Sequence, residues 1–72
     1  MTSRFEVIHY DGTKSLHKSI GAASKAAKKR LGEYMETEDG FCVWPVDHRT
    51  VGVAVSSYGE LTDEQSFIVR MG

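Results

Sequence analysis

Three histidines and one cysteine are the side chains best suited to chemistry in this 72-residue chain. Their spacing assembles no centre. His9 falls in an alternating apolar stretch, His17 precedes an alanine- and lysine-rich segment, and His48 sits in a polar turn. None stands at metal-ligand spacing with Cys42, and the chain has neither a Cys-x-x-Cys nor a His-x-x-x-His pattern. A Cys42 thiolate paired with a distant histidine would make a nucleophile, but a lone cysteine within Phe41-Cys42-Val43-Trp44 reads as a small core hydrophobe. The carboxylates Glu33, Glu36, Glu38 and Asp39 lack the alternating oxygen ligands and central glycine of a calcium loop. Gly12-Thr13-Lys14 lacks the rest of a phosphate-binding loop. No catalytic residue, metal or cofactor is assigned, and the chain is expected not to be an enzyme.

The elements that would position any binding surface are more legible. Ser15 to Met35 is rich in alanine and lysine, with a secure helix placed at 19–35 and Ser19 as one candidate cap. At about 100° per residue, Leu16, Ile20, Ala23, Ala27, Leu31 and Tyr34 share one face, while Lys18, Lys25 and Lys29 lie opposite. Residues 13–18 read equally as a short strand or as a lead-in to the helix. Arg4 to Tyr10 alternates as a strand and stops at Asp11-Gly12, a turn signal. Further strands are expected at 40–44, ended by Pro45, at 50–57, and at 65–71. Asp47-His48-Arg49 reads as a hairpin connection, and the loop after Ser57 has room for one helical turn at Thr62–Gln65. The order β-α-β-β-β implies a single α+β domain, 1–72, with one helix packed on one face of a mainly antiparallel sheet.

One helix leaves the other face of such a sheet open. With Phe5, Val7, Phe41, Val43, Val51, Val53, Val55, Phe67 and Val69 turned toward the helix, the open face would carry Ile8, Tyr10, Cys42, Trp44 and Ile68. A contiguous apolar set of that kind marks a partner or dimer surface, with Tyr10, Trp44, Ile8 and Ile68 as its contact residues and the two aromatics as anchors. A one-residue change of register would exchange the faces.

The formal charge of −1 argues against bulk attraction to nucleic acid or membrane. It conceals a segregation: Lys14, Lys18, Lys25, Lys28, Lys29 and Arg30 occur with no acid between them, and Glu33, Glu36, Glu38 and Asp39 follow. Ser24-Lys25-Ala26-Ala27-Lys28-Lys29 resembles the lysine-rich start of the C-terminal helix in double-stranded RNA-binding domains. The resemblance implies phosphate contacts from these lysines. In that family the helix follows three strands, whereas here it precedes three, and membership is not assigned.

The absence of a long apolar run or a signal-peptide core, and a single cysteine, lead us to expect a cytoplasmic protein without a membrane partner. The expected function is that of a small non-catalytic binding protein acting by protein–protein association, as an inhibitor or adaptor of a larger host enzyme or complex in the manner of small phage proteins. The alternative is a nucleic-acid-binding module using Lys18, Lys25, Lys28 and Lys29, and a homodimer is compatible with either.

Overall fold

The Asp11-Gly12 turn decides how the chain begins. Gly12 adopts φ +89°, a region that costs glycine little, and the Asp11 carboxylate accepts hydrogen bonds from the Thr13 N–H (3.1 Å) and hydroxyl (2.6 Å). The chain therefore doubles back, and the ambiguous stretch after the turn becomes a strand. The structure, a computed structural model, describes residues 4–35, 40–57 and 60–71. Its elements are β1 (Phe5–Ile8), β2 (Lys14–His17), α1 (Ile20–Met35), β3 (Phe41–Pro45), β4 (Thr50–Ser57) and β5 (Glu60–Arg70).

The five strands form one antiparallel sheet in the order β2-β1-β5-β4-β3, with α1 laid across one face. This is the α+β architecture expected, with β2 added ahead of the helix. Ser19 caps α1: its Oγ accepts from the Ala22 N–H at 3.1 Å and its carbonyl from the Ala23 N–H at 3.0 Å. The helix buries Ala23, Ala27 and Leu31 against Val7, Val53, Val55 and Ile68. Alanines at the seam let the helix axis approach the sheet closely. Three members of the expected apolar stripe do not share this burial, because Leu16 belongs to β2 and Ile20 and Tyr34 are about half exposed.

The last strand is longer than expected. Pairing with β4 continues to Ser56↔Leu61 and Ser57↔Glu60, so Thr62–Gln65 is strand rather than a helical turn. Between Ala54 and Ser56 the register slips, four steps along β5 (Leu61 to Gln65) matching two along β4 (Ala54 to Ser56). Such an irregularity bends a strand without ending it. The acidic turn 36–39 and the Tyr58-Gly59 link lie outside the described residues.

Candidate partner-binding surface

Side chains alternate across a sheet, so the pairing register sorts every strand residue onto one of two faces. Val7↔Ile68, Val51↔Ile68 and Val43↔Val53 place these residues on the helix side of the sheet, where Val43, on the edge strand β3, stays half exposed. The next row, Lys14, Ile8, Phe67, Gly52 and Trp44, runs across all five strands on the opposite, uncovered face. Leu16, Glu6, Val69 and Thr50 flank it on one side, and Gln65, Ala54 and Cys42 on the other. Leu16 is 60% exposed, whereas Ile8, Phe67, Val69, Trp44 and Cys42 are half-buried against one another. Glu6 and Lys14 are oppositely charged and sit as diagonal neighbours on β1 and β2, leaving the patch close to neutral.

Trp44 owes its position to Gly52. The two are paired across β3 and β4, and the indole lies over the glycine where a side chain would stand. A Cβ built on Gly52 would overlap Cε2 and Cζ2 of the ring and come within 2.9 Å of Nε1. The aromatic ring thus covers main chain that would otherwise be bare, a means of protecting a glycine inside a sheet.

Of the four residues expected on this face, the structure places Ile8 and Trp44 there and moves two away. Ile68 is 2% exposed beneath the helix. Tyr10 lies past the end of β1, where its ring stacks on Tyr34 of α1 with centroids 4.4 Å apart. That stack and the Arg30–Asp11 ion pair (3.2 Å) fasten the β1–β2 turn to the helix. Phe67 and Val69, expected under the helix, lie on the uncovered face, and Leu16 joins them. A signal for Phe67 was present in β4: the small residues Gly52 and Ala54 leave room only for large neighbours, and Gly52 stands between Trp44 and Phe67.

The lysines form a separate surface. Lys25 and Lys29 are exposed on the side of α1 away from Ala23, Ala27 and Leu31; Lys18 is exposed just before the helix, and Lys28 is half-buried. Arg30, expected to flank them, is engaged by Asp11.

A polar cluster that sequence reasoning kept apart lies on the helix side. Ser15 Oγ is 3.0 Å from His9 Nε2 and 2.8 Å from His17 Nε2. One hydroxyl proton serves one imidazole, so the other ring must donate its own N–H to the oxygen. His9 is 5% exposed and its Nδ1 is buried without a partner among the described residues. Protonating His9 would place an N–H at that atom with nothing to accept it. Burial, and then the positive charge of Arg30, accordingly hold the His9 pKa below the ordinary histidine value, with His17 acting in the same direction and Asp11 opposing. Because the folded-state pKa is the lower one, the unfolded chain takes up the proton first as pH falls. Stability is then full above the unfolded pKa of about 6.5 and lost as pH drops through the folded value. Urea titrations at pH 8, 6.5 and 5.5 are expected to show this decline. In His9→Gln the slope should flatten although His17 and His48 remain; an unchanged slope would assign the effect elsewhere.

The described residues hold no group of three or more His, Cys, Asp or Glu able to bind a metal, and Cys42 is a free thiol beside Ala54. No helix among them is long and apolar enough to cross a membrane. Neither a protein-family model, nor a curated protein, nor a solved structure matches this chain.

Proposed function

We propose that the chain is a small non-catalytic binding protein that associates with another protein through the uncovered face of its sheet. The observation that carries this reading is the contiguous apolar row Ile8, Phe67 and Trp44 with Leu16 and Val69 beside it, on a face that α1 does not cover. Its near-neutral charge fits an apolar protein surface better than a phosphate backbone, which demands an excess of basic groups. Trp44 supplies the large rigid contact that dominates protein interfaces. The reading extends to an inhibitor or adaptor of a larger enzyme or complex, a role that a small protein presenting an apolar surface can fill.

The test begins with affinity capture from a lysate and continues with purified components. Leu16→Glu should weaken the captured partner's Kd by roughly 30-fold, the effect of about 2 kcal/mol for setting a carboxylate against an apolar partner, with Tm unchanged. Lys25→Glu/Lys29→Glu should bind as the parent does. The reverse pattern would transfer the binding surface to the helix and favour the nucleic-acid alternative. Sedimentation velocity on the same variants separates a different partner from pairing of two copies.

A further inference from the structure

Three distant parts of the chain meet at the end of the sheet where β1 starts and β5 ends, and two of them bring arginines, Arg49 and Arg70, to one cleft. Arg4 precedes β1, Arg49 closes the β3–β4 turn and Arg70 ends β5. Main-chain hydrogen bonds hold these segments side by side: the Arg70 N–H donates to the Arg49 carbonyl at 2.7 Å and the Met71 N–H to the Arg4 carbonyl at 2.8 Å. Arg49 and Arg70 continue the Thr50↔Val69 register by one step and stand opposite each other on adjacent strands. With His48 and Met71 they line a cleft of about 300 Å³.

Like charges directly opposite one another in a sheet repel. Among the described residues the ion pair is Arg30–Asp11, so neither Arg49 nor Arg70 is neutralised by a described carboxylate. Asp47 belongs to the same turn, but its Oδ1 accepts the Arg49 N–H at 2.7 Å, which holds it to the main chain rather than to a guanidinium. Asp47 stays ionised in this turn near His48, so two guanidinium groups against one carboxylate leave a surplus of one positive charge in a concave site, where a bound anion would relieve the repulsion between the arginines.

We propose that this cleft binds the phosphate group of a phosphorylated ligand. Two guanidinium forks offer paired N–H donors that match phosphate oxygens, and His48 adds a ring nitrogen. The volume exceeds what a bare phosphate needs, and Met71 gives an apolar wall for the group the phosphate is attached to. The site stands apart from the proposed partner surface: Arg70 shares the helix side of the sheet with Phe5 and Ile68, and the helix lysines take no part in lining the cleft.

The experiment is a 15N-HSQC titration of the full chain at constant ionic strength with inorganic phosphate, a 5′-mononucleotide, and an oligonucleotide lacking terminal phosphates, against sodium chloride as blank. Saturable shifts at His48, Arg49, Arg70 and Met71 are expected. The arm that binds most tightly identifies free phosphate, a monoester or a diester as the source. Arg49→Gln/Arg70→Gln should weaken binding more than tenfold, and the tight-binding probe should raise the parent's Tm but not the variant's. Lys25→Gln/Lys29→Gln should titrate as the parent does. Equal shifts in chloride, shifts centred on Lys18, Lys25, Lys28 and Lys29, or an unaltered double variant would overturn the assignment.

Discussion

Gly52→Ala is expected to unseat Trp44 and lower the thermal midpoint by roughly 8–16 °C. The figure follows from overpacking costs of about 2 kcal/mol and a shift of about 4–8 °C per kcal/mol in a domain of this size. The added Cβ would occupy the space of the indole ring. Gly52 is buried in β4 between β3 and β5, so its main chain has nowhere to retreat. The ring must swing off the face, or β3 must separate from β4. Either response changes the tryptophan emission maximum, which makes fluorescence a direct readout beside calorimetry. The control is Trp44→Ala: once the ring is gone, alanine at position 52 should cost little, because it also removes the entropic penalty of a glycine in a strand. A double-mutant cycle should therefore show coupling of more than about 1 kcal/mol, well beyond the additivity of independent sites. Additive effects would mean that the indole does not rest on Gly52. The variant also bears on function, since it displaces the proposed anchor while deleting no atom of the partner surface.

The same pair shows what could be read in advance. The bounds of β4, the Ser19 cap, the Asp11-Gly12 turn and the inward set Phe5, Val7, Phe41, Val51, Val53 and Val55 were legible because each rests on local chemistry or on period-two alternation, whereas Val43 shares their side of the sheet but stays half exposed on the edge strand. Residues 13–18 were not, since Leu16 and Ile20 share a face under either periodicity and only pairing with β1 resolves them. With strand and lead-in both open there, the His9–Ser15–His17 cluster stayed hidden as well. Once the turn folds the chain back, Ser15 pairs with Val7, and its hydroxyl comes between the two rings. The Arg49–Arg70 cleft was invisible for a similar reason, because no local pattern links a hairpin turn to a strand end 21 positions later (70 − 49).

The phase of β5 is the point on which both faces depend, and two adjacent substitutions test it. Ile68→Asp is expected to leave the chain unfolded at 25 °C, whereas Phe67→Asp should fold. Ile68 is among the largest fully buried side chains, packed with Val7 and Val53 beneath α1. A carboxylate there loses the apolar contact and must be desolvated without a partner, which together cost several kcal/mol. A domain of this length has only about 4–10 kcal/mol of stability in total. Phe67 faces away from the helix, half-buried between Ile8 and Gly52, where the shorter aspartate reaches water and gives up apolar contact worth about 2 kcal/mol. The alternation Phe67, Ile68, Val69 contains no internal preference for one phase: all three residues are apolar, and the bulkier phenylalanine suggests the inward position. The decision comes from across the sheet, where Ile68 stands beside Val7 and Val51, while Phe67 stands beside the glycine whose other side Trp44 covers. Far-ultraviolet circular dichroism of the two proteins reads the answer. The opposite result, Phe67→Asp unfolded and Ile68→Asp folded, would shift β5 by one residue. Ile68 would then return to the uncovered face, and the apolar row proposed to meet a partner would lose its central aromatic ring.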